Sequence, residues 1–264
     1  MKQTKIVILN WNGRKHLERF LPTLVENTPE AGIVVADNGS TDDSLDFVRS
    51  RFPQIEIVTM EKNYGYAGGY NRALEQVEAD YFLLLNSDVE VPAGWIVPLI
   101  ETLDTHPEVA AVSPKIRSFS EPARFEYAGA AGGFIDCLGY PFCRGRILDS
   151  IEMDEGQYDD ARDVFWASGA CMLVRSEVFR KLGGFDADFF AHMEEIDLCW
   201  RAQLAGYKIR IDPRSMVFHV GGGTLPNDNP QKIYLNFRNN LCMLFKNLSP
   251  CTFWPVLFTR MVMD

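Results

Sequence analysis

The sequence predicts an α/β fold with a mostly parallel central sheet flanked by helices. Three observations carry that expectation. Short β-rich runs alternate with helix-spaced segments through the first part of the chain, which is the signature of a parallel sheet covered on both faces. The runs are continuously apolar, as strands buried on both sides are. And 264 residues, 47% hydrophobic and 23% charged, suffice for the core of one large domain.

The elements follow in order. "KIVIL" reads as the first strand, and "GRKHLERFLPTLVEN" as a helix with Leu17, Phe20 or Leu21, and Leu24 on one side. "IVVADNGS" is a second strand, after which Ser40 or Thr41 is expected to cap the helix "DDSLDFVRSRF". "IEIVTM" is a third strand, "GGYNRALEQVEA" a helix entered through glycines, "YFLLLNSD" a fourth strand and "GWIVPLIETLDTH" another helix. From Ser113 to Val164 the pattern loosens into a glycine-rich and then acidic excursion, read as a flap rather than a separate domain. Its Arg144 and Arg146 are expected to be solvated or acid-paired more readily than bound to an anionic acceptor. Order returns with the strand-like "FWASGACMLVR", the short helix "SEVFRKLGGF", the helix "EEIDLCWRAQLAGY", the strand "KIRIDP" and "MVFHVGGG". On that last long helix Ile196, Trp200 and Leu204 are expected to form the buried side.

Composition excludes some functions. The net charge is −10 with no basic run, so broad nucleic-acid binding is not expected. Six cysteines with no CxxC pair argue for free thiols in a reducing, cytoplasmic setting, not for a zinc site. No segment has the apolar length of a signal peptide or a spanning helix. The apolar end "CTFWPVLFTRMVMD" fits an interfacial anchor, with peripheral contact at the inner face of a membrane, and a last packed helix equally well.

In open parallel sheets, ligands sit beyond the carboxyl ends of the strands. Here those ends carry Asn10 and Asn12, Asp37 and Asn38, and Asn86, Ser87 and Asp88. A carboxylate such as Asp88 at a strand end suits a hard divalent cation, although a turn or cap would use the same residue. The cluster "NYGYAGGYN" does not make the dinucleotide fingerprint, since Gly65, Gly68 and Gly69 are wrongly spaced. Glycines opening a helix still offer free N–H groups to an anion. On the helix at 194–207, Glu194, Asp197 and Arg201 share one side, and Glu195 lies in the first turn. There the helix dipole favours an ionised carboxylate able to accept a proton. His219, flanked by apolar residues and glycines, is a candidate metal ligand.

In this order the motifs "ILNWNG", "ADNGSTDDS", "NYGYAGGYN", "LLLNSDVEVP", "SGACMLVR", "GGFDADFFAHMEEIDLCWRAQLAGY" and "FHVGGGT" resemble the inverting glycosyltransferases of family 2, and most nearly their bacterial rhamnosyltransferase-like members. The resemblance implies the Rossmann-like, nucleotide-sugar-binding GT-A fold over residues 1–224, with a nucleotide half at 1–112 and an acceptor and catalytic half at 113–224. Residues 225–264 would be a helical extension. It implies Asn10, Asn12, Asp37, Asn38, Gly65, Asn71, Arg72, Ser87 and Asp88 around the nucleotide-sugar, and Trp166 and Gly169 toward the acceptor. Asp88 matches the last acid of the family's DxD motif, whose first acid is here Asn86. With His219, Asp88 would hold Mg²⁺ or Mn²⁺. The family's base is the Asp of a Glu-Asp pair; this chain has Glu194-Glu195, so Glu195 stands first, with Glu194 and Asp197 as alternatives. The implied partners are a UDP-, dTDP- or GDP-linked donor and a saccharide or lipid-linked acceptor. A nucleotide-sugar- or carbohydrate-binding module without turnover is the rival reading.

Overall fold

The apolar runs become the centre of one nine-stranded sheet. The computed structural model describes residues 2–127, 129–148, 150–221 and 229–264. The first half contains β1 (Thr4–Asn10), α1 (Arg14–Asn27), β2 (Gly32–Asp37), α2 (Ser44–Arg51), β3 (Glu56–Thr59), α3 (Gly65–Leu74), β4 (Tyr81–Leu85), β5 (Val89–Glu90), α4 (Val97–Thr105) and β6 (Val109–Ser118). Four short strands follow, β7 (Gly133–Ile135), β8 (Pro141–Cys143), β9 (Arg146–Ile147) and β10 (Ser150–Ile151), and make a separate antiparallel sheet. The chain then forms β11 (Arg162–Val164), β12 (Cys171–Arg175), α5 (Ser176–Lys181), a 3₁₀ turn at Ala187–Phe189, α6 (Glu194–Leu204), β13 (Lys208–His219), α7 (Pro230–Asn247) and α8 (Pro250–Met263).

The main sheet runs β11-β13-β6-β12-β4-β1-β2-β3, with β5 paired to β13. Strands β3, β2, β1, β4, β6 and β13 point one way; β12, β11 and β5 are reversed. The chain steps outward from β1 to β3 and returns to β4 on the other side of β1. The topological switch therefore lies at the carboxyl ends of β1 and β4, where such sheets open a crevice.

Alternation along the strands divides the core into two layers. Tyr81, Leu83 and Leu85 of β4 face α1 and α4 through Leu17, Leu21, Leu24, Leu99 and Leu103. Phe82 and Leu84 face α3, α5, α6 and α7 through Tyr70, Phe179, Leu198 and Met243. All five β4 residues are buried, and at roughly 1.5–3 kcal/mol for each large side chain this strand is held rigidly.

Several local expectations are corrected. The helix after β2 starts at Ser44, preceded by Asp43, because Ser40 spends its hydroxyl on β1 instead of capping. The segment Val109–Ser118, counted partly as flap, is a long strand; Pro114 in its middle disguised it. On α6 the buried surface is wider than the apolar spacing predicts: Ile196 is buried as expected and Trp200 half-buried, but Glu194 and Asp197 are enclosed as well, while Leu204 is 65% exposed. The glycines after Gly221 and the 224/225 boundary lie outside the described residues.

Candidate active site

The nucleotide end is built on the carboxyl ends of β1 and β2. Asn10 is fully buried, and its Nδ2 donates to Asp37 Oδ1 at 3.0 Å and to Ser40 and Ser44 hydroxyls at 3.1 and 3.0 Å. Asp37 Oδ2 accepts from the Ser40 N–H, so this carboxylate is oriented by both strands. Asn12 adopts a positive φ of 51° and its Oδ1 accepts from the N–H groups of Thr41 and Asp42. Asn38 ties β2 to the next loop: its Nδ2 donates to Asn63 Oδ1 and Gly65 O, and its Oδ1 accepts from the Tyr64 N–H.

The α3 start does not offer free N–H groups. Those of Tyr66 and Ala67 donate to Phe190 O at 2.6 and 3.2 Å, and that of Gly65 to Asn63 Oδ1. Gly65 has φ +74°, and a Cβ there would stand 2.4 Å from Phe190 O. The glycine lets α3 meet the loop that precedes α6. Asn71 is likewise committed, clamping the backbone of Phe185 through both amide atoms at 2.8 and 2.9 Å. Arg72 is exposed and stacks on the Tyr64 ring.

The next corner joins β4 to β13. His219 ends β13 and pairs with Val89, which brings its Nε2 to 3.2 Å from Asp88 Oδ1 and 3.4 Å from Asn86 Nδ2. Ser87 lies beside them, half-buried. On the far side of the ring, Nδ1 faces Glu126 Oε2 at 3.5 Å, an ion-pair distance too long for a full hydrogen bond. Burial alone would lower the His219 pKa, but the Asp88 and Glu126 carboxylates outweigh it and hold the imidazolium up to about 10. Burial conversely raises Asp88, and the hydrogen bond and charge of His219 overturn that, leaving it below the usual carboxylate range.

The third corner is the first turn of α6. Glu194 is 3% exposed and Glu195 half-buried; the Oε2 atom of each is enclosed and has no hydrogen-bond partner. Burial raises both carboxyls above their ordinary range, with Glu195 adding to the shift on Glu194. The Glu195 carboxyl carbon lies against Gly169, 3.7 Å from where a Cβ on that glycine would stand. Gly169 O also accepts from the Tyr66 hydroxyl at 2.6 Å, and both glutamates push the Tyr66 phenol, already raised by burial, further up. Orphaned buried carboxylate oxygens are rare in folded proteins and ask for a chemical reason.

A path of contacts connects the corners. Glu195 lies against Gly169, the adjacent Ala170 O accepts from Asn86 N–H at 3.0 Å, and the Asn86 side chain meets His219 and with it Asp88. Asn10 adjoins the same place, since a Cβ on Gly13 would lie 2.4 Å from Asn10 Oδ1 and 3.8 Å from Ser87 Oγ. Asp197 stands apart from this convergence. Fully buried, it accepts from Arg201 Nε at 2.8 Å, Lys246 Nζ at 3.0 Å and Asn247 Nδ2 at 2.9 Å, which fastens α6 to α7. Trp166 is packed against β7 with its Nε1 donating to Phe134 O, and Gly133 is required beneath it, where a Cβ would overlap the indole at 1.9 Å. Arg144 pairs with Asp160, and Arg146 stacks on Tyr127.

Sequence reasoning missed Glu126 and Tyr66. Glu126 lies in an aperiodic stretch that reaches His219 only through the long register of β6 with β13, and Tyr66 was hidden inside a cluster read for its glycines.

Comparison with known proteins identifies the family and the fold. An N-acetylglucosaminyl-diphospho-decaprenol L-rhamnosyltransferase of Mycobacterium tuberculosis is 31% identical over 230 residues, 81% of this chain and 75% of that protein. The mannosyltransferase PcManGT of Pyrobaculum calidifontis, solved with GDP-Man and Mn²⁺, superposes with a TM-score of 0.64 at 16% identity, over 98% of this chain and 69% of that one. GalNAc-T7, solved with UDP, GalNAc and Mn²⁺, gives a TM-score of 0.70 at 15% identity over 92% of this chain, which spans 48% of that protein. These two likenesses establish the GT-A fold. The model "Glycosyl transferase family 2" matches residues 5–183, and with the mycobacterial relative it shows that the chain belongs to glycosyl transferase family 2.

Proposed function

We infer that this glycosyltransferase moves a deoxyhexosyl group, rhamnosyl by likeness to the mycobacterial relative, from a nucleoside-diphosphate donor to a hydroxyl of a lipid-linked saccharide, with inversion at the anomeric carbon. The observation that carries the reading is the run of contacts from Glu195, with its orphaned Oε2, past Gly169 and Ala170 to the Asp88–His219 pair. It links a raised, unpartnered carboxylate to a metal-competent corner through β4 and β12.

The residues suit a divalent cation. Among the described residues no three His, Cys, Asp or Glu side chains gather as a cage. Asp88 and, on release of the ring proton that its carboxylate neighbours favour, His219 would supply two ligands, and Mg²⁺ or Mn²⁺ commonly completes its shell with phosphate oxygens and water. Glu126 behind the His219 ring is the outer partner that orients a ligating imidazole. Once bound, the ion neutralises negative charge on the departing diphosphate.

The chain's own groups do the rest. Asp37, fixed by Asn10 and Ser40, is directed toward the base or ribose of the nucleotide. Glu195 Oε2 takes the proton of the acceptor hydroxyl as that oxygen attacks the anomeric carbon from the face opposite the nucleotide, so one displacement inverts the centre. Its seat in the first turn of α6, against Gly169, holds the carboxylate in place while it does so. Incubation with UDP-, dTDP- and GDP-linked sugars and a lipid-diphosphate saccharide, with and without Mn²⁺, tests the reading. Transfer with an inverted anomeric configuration is expected; nucleotide-sugar binding without transfer or hydrolysis would leave a binding module.

A further inference from the structure

The loop that delivers the α6 glutamates has an unusual backbone. Phe190, His192 and Met193 all have positive φ, at 64°, 73° and 73°, and none is glycine. Met193 is the residue immediately before α6, so the direction of the first turn, and of Glu194 and Glu195 within it, is set by these torsions. Such a conformation persists only where its surroundings over-determine it.

What holds it comes from the other end of the chain. Asn239 of α7 is fully buried, and its Nδ2 lies within donating distance of three loop carbonyls, Phe189 O at 2.9 Å, Ala191 O at 2.8 Å and His192 O at 2.7 Å. Its Oδ1 is fixed in turn by Arg238 Nε at 2.8 Å, and Arg238 Nη2 reaches Asp188 O and Phe189 O. On the opposite side Phe190 O is taken by the α3 N–H groups of Tyr66 and Ala67. The loop is thus gripped between α3 and α7. An amide is suited to this place, because it turns an NH₂ toward the carbonyls while keeping an acceptor for Arg238. Aspartate would turn an oxygen toward them.

The geometry points to Asn239 as a positioning residue for the glutamate pair: it acts through the 189–193 backbone and sets where the Glu195 carboxylate stands. The inference rests on the reading of Glu195 as the base. Neither α7 nor the loop lies within residues 5–183, the span of the family match.

The test compares Asn239→Asp with Asn240→Ala, using whichever of the UDP-, dTDP- or GDP-linked sugars turns over fastest with the unaltered chain. Asn240 is a matched control: it is the neighbouring buried asparagine, but its Nδ2 donates to Gly139 O in the flap. Three readouts are taken: kcat, the dissociation constant of the matching nucleoside diphosphate, and amide hydrogen exchange over 186–198. For N239D, kcat is expected to fall by about 10²-fold, the loss typical of a misplaced reacting group, with faster exchange over 186–198 and unchanged nucleotide affinity. N240A should leave that exchange and kcat near those of the unaltered chain. An N239D variant that keeps its kcat, or an N240A variant that loses as much, overturns the proposal. Failure of the underlying reading shows elsewhere, as a Glu195→Gln chain that retains turnover.

Discussion

His219 Nε2 stands 3.2 Å from Asp88 Oδ1, so the end of β13 closes onto the loop after β4. That contact explains why a wholly apolar strand ends in a carboxylate: β4 supplies rigidity, and its terminus supplies charge to a site at the sheet's switch point. Asp88→Asn is expected to abolish Mn²⁺-dependent transfer. Glu126→Gln, behind the ring, should weaken Mn²⁺ affinity by about 10–100-fold, the usual cost of losing an outer-shell partner. Turnover measured against Mn²⁺ concentration checks both, and superimposable curves for E126Q and the unaltered chain would remove Glu126 from that role.

Glu195 gives a kinetic prediction with a sign. Burial raises its carboxyl, and a base must be deprotonated to work. The rate should therefore fall as pH drops, with its inflection above the ordinary glutamate value of about 4.3. Glu195→Gln should lower kcat by about 10²–10⁴-fold and erase the inflection. A pH–rate profile of both chains decides it, because an E195Q profile with the same acid limb assigns that limb to another group.

Glu194 gives a thermodynamic one. Its carboxyl is raised by burial first and by Glu195 second, and Oε2 has no partner. The folded state binds this proton more tightly than the unfolded chain does, so its favourable contribution is present at low pH. That contribution is lost as pH rises from the unfolded pKa through the folded one. Glu194→Gln mimics the protonated form at every pH. It is expected to raise the melting temperature at neutral pH and to flatten its decline between mildly acidic and neutral buffers. A variant that melts lower at pH 7 but unchanged at pH 4 would reverse the sign.

The legible parts of this molecule were those written in local periodicity. Leu17, Phe20, Leu21 and Leu24 face the core as their spacing requires, and the polar strand ends at Asn10, Asp37 and Asn86 gather at one edge because parallel strands bring like ends together. What could not be read was long-range. That β12 enters antiparallel between β4 and β6, that α3 spends its N–H groups on Phe190, and that α7 grips the 189–193 loop depend on residues far apart in the chain. On α6 the error had a physical origin. Helical spacing showed two faces, and only the apolar one was taken as buried; Ile196 is, but so is Asp197, whose burial is made tolerable by Lys246 and Asn247 on another helix.

Those partners lead to the last prediction, which separates Asp197 from the glutamates. Its carboxylate has no exposure, and Arg201, Lys246 and Asn247 occupy both oxygens. A group so engaged holds α6 against α7 and is not available to take a proton from an acceptor. Asp197→Ala removes the buried acceptor shared by Arg201, Lys246 and Asn247, and because Arg201 keeps Leu182 O and Gly184 O and Lys246 keeps Asp186, a loss of about 1–3 kcal/mol is expected. The same change should leave kcat per folded molecule within a factor of about three, since no transition-state contact is removed. Denaturant unfolding and active-site-normalised turnover, measured on one preparation, test the two halves together. A chain that keeps its stability but loses turnover as far as Glu195→Gln would make Asp197 the base and the ion pairs incidental.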